Sequence, residues 1–329
     1  MIVTENIYVN GIIVLLSLTG LIKFSELMID GAVAIAKKYK ISPLIVGATV
    51  VAIGTSLAEL AVNMVEITTT GHTDAVLGNI LGSNFVNIGL GLGIAAIITK
   101  LRTHTMVIEK EIPLYFALTA LLTSIAGDKL LTRREGIYLV LAFFAINYLI
   151  YQYSIRDKSK REEFKHEPHM EHDLSTKKTI YYLVGGLFGL VISARILVYS
   201  ASSVATHFGV SKYIIGLTIV GVGTSFPEIM ASIQAARKGY TDLVLGNVFG
   251  SNIFNICFGL GVPMLFKDLR VLPSALNDLY FLNFMGVIMF FMLLIEAKLV
   301  GNNKTLDRIG GIAIVLMYFG YMASKFILI

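Results

Sequence analysis

The sequence predicts an all-α membrane protein with ten transmembrane helices arranged as two inverted five-helix repeats. Three observations lead there. The 329-residue chain is 55% apolar and only 15% charged, with a mean hydropathy of +0.75, whereas a soluble domain carries about 25% charged residues. Ten stretches read as membrane helices, which need about 20 mainly apolar residues. Two blocks also occur twice. IVGATVVAIGTSLAE, Ile45 to Glu59, returns as IIGLTIVGVGTSFPE, Ile214 to Glu228; TDAVLGNILGSNFVNIGLGLG from Thr73 returns as TDLVLGNVFGSNIFNICFGLG from Thr241.

The first five spans read as Ile7–Lys37, Ser42–Thr70, Asp74–Thr99, Ile112–Ile125 and Glu135–Tyr153. The second five read as Thr179–His207, Ser211–Lys238, Thr241–Phe266, Leu276–Ala297 and Leu306–Ile327. The apolar run from Ile7 is too long for a signal-peptide core and lacks a basic leader, so it reads as the first span. The fourth is the shortest. Residues 1–155 thus form one repeat, 156–178 a linker, and 179–329 the second repeat. The linker is dense in charge of both signs and reads as a solvated cytoplasmic connector. Its His166, His169 and His172 could bind a soft metal or sense pH, but histidines in a charged loop are more often simply solvated.

Charge sets the orientation. With the N-terminus outside, the inner connections hold Lys37, Lys38, Lys40, Lys100, Arg102, Lys110, the linker cations, Arg237, Lys238, Lys298, Lys304 and Arg308. The outer ones hold far fewer, so the positive-inside rule places both termini outside the cell membrane. The same distribution explains the pI near 9.1 without a nucleic-acid partner, since no basic patch forms. The single cysteine, Cys257, excludes an intrachain disulfide and leaves the redox compartment unread. Because each half has an odd number of spans, the second enters the bilayer inverted. Inverted repeats are a recurring plan of secondary transporters, with the site near the midplane where the halves meet.

Glu59 and Glu228 fall near the middle of spans two and seven. A charged carboxylate there costs at least about 2.5–3.5 kcal/mol, so it persists when it faces a polar cavity, a partner or an ion; the alternative is a neutral glutamate packing two helices. Thr55 and Thr224 lie one turn earlier at i, i+4, and Ser56 and Ser225 at i, i+3, on the same face. Gly54, Gly223 and Pro227 weaken the helices, and a local break would expose carbonyls such as those of Ala52 and Gly221 to a cavity. Carboxylate, hydroxyl and carbonyl oxygens without sulfur or imidazole suit hard cations such as calcium or sodium. Spans three and eight add Ser83 with Asn87 and Ser251 with Asn255, again at i, i+4, while Asn84 and Asn252 follow the serines directly. Here Gly, Ser and Asn could instead serve helix packing alone. A mixed role is expected, with Gly78, Gly82, Gly246 and Gly250 allowing close approach. Lys23, Glu26, Asp30, Glu66 and Arg195 read as structural or gating, with Lys23 and Glu26 able to pair and Arg195 able to snorkel.

At these residues the chain resembles the sodium/calcium exchanger branch of the calcium/cation antiporter superfamily. The matching segments are GATVVAIGTSLAE with GNILGSNFVNI, and GLTIVGVGTSFPE with GNVFGSNIFNI, which look like that family's two alpha-repeats. The resemblance implies exchange of calcium against several sodium ions by alternating access, the first and sixth helices sliding across the rest. It implies that Glu59 and Glu228 bind calcium with Thr55 and Thr224 and also serve sodium. Ser56, Ser83, Ser225 and Ser251, with the carbonyls of Ala52 and Gly221, would complete the sodium positions, and Asn87 would line the centre. Two departures stand out. Ala58 replaces an expected proline, so the first-half break should be gentler. Asn255 stands where archaeal and potassium-dependent exchangers often carry Asp, which argues against potassium co-transport.

The expectation is therefore a sodium- and calcium-carrying antiporter with no cofactor, embedded in the lipid bilayer and functional as a monomer. A calcium/proton antiporter is the alternative, because buried carboxylates can carry protons. A cation channel is a further rival. A membrane enzyme built on Ser56 or Ser225 is disfavoured, since no histidine lies near either motif.

Overall fold

Long apolar stretches bounded by caps and turns become helices throughout the computed structural model. It describes residues 6–101, 112–156, 174–210, 215, 219, 221–295 and 304–327. The longer helices among these residues are α1 (Ile7–Tyr39), α2 (Pro43–Thr69), α3 (Thr73–Ile98), α4 (Ile112–Ile125), α5 (Arg133–Arg156), α6 (Thr176–His207), α7 (Phe226–Arg237), α8 (Thr241–Met264), α9 (Pro273–Ile295) and α10 (Lys304–Ile327). Seven are long and apolar enough to cross a membrane; over the described residues α4, α7 and α10 do not meet both criteria. The expected start of the seventh span falls partly outside the described residues, as do the linker histidines.

Boundaries follow local chemistry. The Asn6 side chain accepts from Tyr8 N–H at 2.9 Å and so caps α1, satisfying a donor that no helical carbonyl can reach. Lys40 ends α1 at φ 55. Ser42 then caps α2, with Pro43 in its first turn, where a missing N–H costs nothing. Gly71, at φ 71, turns α2 towards α3.

The centre of the bundle is α8 and α3. In their most apolar windows 94% and 78% of residues are buried, against 28% in α1 and α5. α1 instead lies along α6 at the margin, so close that a Cβ on Gly186 would stand 2.5 Å from the Met28 nitrogen. Lipid offers no hydrophobic drive between helices, so small residues and polar bonds do this work. α4 and α9 are joined in that way: Asn283 accepts from Thr119 at 2.8 Å and donates to Thr123 at 2.9 Å.

Helix ends sort into two groups. At one, Lys238 of α7–α8 reaches Asp30 and, at 3.9 Å, Glu26 of α1, and Arg308 Nε donates to the Ile97 carbonyl. Lys23 and Glu26 do pair, at 3.7 Å, and Arg195 is exposed. At the other, Lys267 donates to the Gly71 carbonyl and Arg133 N–H to Asp268. Two short strands also form there, β1 (Leu130–Leu131) and β2 (Leu269–Arg270), antiparallel with Leu130 opposite Arg270. This ladder is a small departure from the all-helical expectation: two connections run side by side and their backbones pair.

Of the glycines expected to allow close approach, Gly246 and Gly250 do so. A Cβ on Gly246 would lie 2.3 Å from the Leu44 carbonyl oxygen, and one on Gly250 would lie 2.5 Å from the Ala48 backbone. Gly78 and Gly82 meet nothing within 4 Å among the described residues; the positions equivalent to Leu44 and Ala48, 213 and 217, lie outside them. Gly250→Ala should therefore force α8 from α2 and destabilise the protein by about 1–3 kcal/mol. Thermal unfolding in detergent reads this, with Gly320→Ala, which has open space, as the unaffected control.

Candidate functional site

Each half of the chain contributes one carboxylate, and each carboxylate is bonded by the other half. Ser56 Oγ donates to Glu228 Oε1 at 3.0 Å, and Ser225 Oγ donates to Glu59 Oε1 at 3.4 Å. All four side chains are essentially excluded from solvent. The crossed pair brings together residues more than 160 positions apart. It places both glutamates in one interior region, as the repeats implied.

The two supporting backbones differ. α2 stays helical through Ala52–Val65, after a wide π-helical turn at Gly47–Val51. In this continuous stretch the Thr55 hydroxyl folds back onto the Val51 and Ala52 carbonyls at 3.1 and 3.2 Å. In the second half a short helical turn, Gly221–Gly223, stops at Thr224 and Ser225, and α7 begins anew at Phe226 with Pro227 in its first turn. Ser225 N–H bonds Val222, only three residues back. Glu228 thus sits in the first turn of α7, where unsatisfied N–H groups favour a carboxylate. Proline in one copy and Ala58 in the other make the difference, in the sense the sequence suggested. Gly221 is exposed, whereas Ala52 is fully buried.

Ser83, Asn87, Ser251 and Asn255 lie on α3 and α8 and are all buried. Asn87 and Asn255 each open a wide π-helical turn, Asn87–Leu92 and Asn255–Leu260, at equivalent points of the repeat. Such turns leave irregular hydrogen bonding and concentrate at functional sites. Glu59 Oε2, Glu228 Oε2, Thr224 Oγ1, Ser83 Oγ, Ser251 Oγ, Asn87 Oδ1 and Asn255 Oδ1 are buried and have no hydrogen-bond partner among the described residues. Buried polar atoms are ordinarily satisfied. Open carboxylate, hydroxyl and amide oxygens are the ligand types a dehydrated hard cation takes; the Asn84 and Asn252 Nδ2 donors on the same helices are open too.

A second layer lies beyond the residues that the sequence motifs mark. One turn after each glutamate stands a polar residue, Asn63 or Ser232, held by an asparagine of the next helix. Asn79 donates to Asn63 at 2.8 Å, and Asn63 donates on to the Gly259 carbonyl at 2.9 Å. Asn247 donates to Ser232 at 2.9 Å and to the Glu228 carbonyl at 3.0 Å. The i, i+4 spacing from each glutamate was the available signal. Asn247→Leu removes two buried bonds, so it should lower stability by about 1–3 kcal/mol, measured as the melting temperature of the purified protein.

The family model described as sodium/calcium exchanger protein matches residues 10–152 and 178–327. The inner membrane protein YrbG of Escherichia coli is 32% identical, the match covering 82% of this chain and 83% of that protein. The sodium/calcium exchanger MaX1 of Methanosarcina acetivorans is 29% identical, over 97% of this chain and 99% of its own. A solved structure of the sodium-calcium exchanger NCX_Mj superposes with a TM-score of 0.82 at 28% identity, covering 97% of this chain and all of that one. A family match through both halves, together with a shared fold along nearly the whole length, places the lineage beyond the motifs alone: the chain belongs to the sodium/calcium exchanger family.

Proposed function

We propose that the protein is a secondary antiporter that exchanges calcium for sodium across the cell membrane by alternating access, without potassium. The observation that carries this reading is the crossed bonding of two buried glutamates by serines of opposite halves. Ten spans as two inverted five-helix repeats form the frame, α4, α7 and α10 completing the set. Both termini lie outside. The grouping of helix ends supports this: Lys238 and Arg308 meet their partners at one end, Lys267 and Arg133 at the other.

The ligands are Glu59 and Glu228 with Thr55 and Thr224 for calcium. Ser56, Ser83, Ser225, Ser251, Asn87, Asn255 and the carbonyls of Ala52 and Gly221 supply the surrounding oxygens. Charge explains the coupling. Two ionised glutamates carry −2, which one calcium ion balances and sodium ions on adjacent oxygens can also balance. The two cannot share the same carboxylates at once. An empty −2 pair is costly to move through a low-dielectric interior, so loaded states cross and the protein exchanges rather than leaks. Asn255 is neutral where an aspartate would add charge for a third cation species, which supports independence from potassium.

An outward sodium gradient should drive calcium into proteoliposomes holding the purified chain. Glu59→Gln or Glu228→Gln should each cut that uptake about a hundredfold, because one unpaired buried charge no longer balances calcium. Replacing potassium by choline on both sides should leave it unchanged. Uptake driven by a pH gradient in sodium-free buffer would decide instead for the calcium/proton alternative.

A further inference from the structure

We infer that Asn84 and Asn252 are positioning residues that fix which end of the Asn255 and Asn87 amides faces the ions. The inference rests on the cation-binding reading above and deepens it. The four asparagines form two crossed pairs between α3 and α8. Asn87 Nδ2 donates to Asn252 Oδ1 at 3.0 Å, and Asn255 Nδ2 donates to Asn84 Oδ1 at 3.2 Å. Each pair joins one repeat to the other, and all four side chains are buried to within 1%.

An amide side chain carries a donor end and an acceptor end. Once Asn252 accepts from Asn87 Nδ2, the Asn87 oxygen is turned the other way, and that Oδ1 has no partner among the described residues. The same holds for Asn255 Oδ1 opposite Asn84. Reversing either pair would aim an NH2 group where an oxygen now points. An NH2 group in that place would repel a cation that an amide oxygen can ligate. The sense of these bonds therefore decides whether Asn87 and Asn255 offer an oxygen or a proton, and Asn84 and Asn252, whose own Nδ2 groups are buried without a partner among the described residues, hold that sense without needing to touch an ion.

Equivalent residues on both repeats do this for each other, so the pairing also makes each half depend on the other for its ligand orientation. Within α3 and α8, Asn84 and Asn252 sit just before the wide turns at Asn87 and Asn255. The acceptor in each pair therefore comes from regular helix and the donor from the loosened turn. The better-held partner orients the freer one.

The test is a double-mutant cycle read by calcium titration calorimetry on the full chain in detergent. Asn252→Leu removes the acceptor at similar size and should weaken calcium binding roughly tenfold, the loss expected for one buried hydrogen bond with its orientation. In an Asn87→Ala background the same substitution should change affinity by less than about twofold, because its route of action is gone. Asn252→Asp keeps an acceptor for Asn87 and should bind at least as tightly as the unmodified protein. Asn84→Leu with Asn255→Ala forms an independent cycle, and decides the matter if Asn252→Leu aggregates. Unchanged affinity in both Leu variants, or equal losses with and without Asn87, would overturn the inference. Sodium-driven calcium uptake run in parallel separates the two proposals: a chain that binds calcium, obeys the cycle and yet fails to exchange upholds the positioning role and overturns only the antiporter reading.

Discussion

Two carboxylates deep in a bilayer protein are the constraint around which the rest is arranged. Each acidic group at membrane depth costs several kcal/mol unless it is bonded or faces an ion. Neither half of the chain meets that need alone. Glu59 takes its hydroxyl donor from Ser225, and Glu228 takes its own from Ser56. The halves must therefore pack closely enough for hydroxyl groups to reach across. Gly246 and Gly250 allow this by letting α8 touch the backbone of α2 at Leu44 and Ala48.

The symmetry of the repeat is real in sequence and imperfect in backbone. α2 passes Thr55, Ser56 and Glu59 as unbroken helix, while the chain before α7 turns at Thr224 and Ser225. Proline is the physical cause: Pro227 in the first turn of α7 has no N–H to donate to the carbonyl a turn earlier, so the preceding turn is not continued. The Thr55 hydroxyl folds back onto the unbroken helix of its own copy and also reaches Glu228 of the other.

Polar atoms at the centre of an otherwise apolar bundle also set its architecture. α3 and α8 are the most enclosed helices, yet they carry Ser83, Asn84, Asn87, Ser251, Asn252 and Asn255. A lipid-facing helix could not hold such a set, because unsatisfied polar groups in hydrocarbon have no water to turn to. Enclosure and polarity are thus one feature seen twice. The wide turns beginning at Asn87 and Asn255 add loosened backbone in the same place, and α1 with α6, poorer in such groups, stands at the margin.

The sequence by itself determined a great deal here, and for a physical reason. Hydropathy marks helices because a bilayer admits almost nothing else, so most spans were legible, the fourth down to its last residue, Ile125. A carboxylate one turn after a threonine in two related apolar blocks marked the ion-binding candidates, and Ala58 against Pro227 foretold which copy would break. What only the tertiary structure decided is pairing between distant segments. No local pattern says that Ser56 serves Glu228 rather than Glu59, three residues away, or that Asn63 and Ser232 are held by Asn79 and Asn247. Nor does any local pattern reveal the ladder between Leu130–Leu131 and Leu269–Arg270. Such bonds depend on which faces meet after the helices pack, and helical periodicity records only which residues share a face, never what that face will meet.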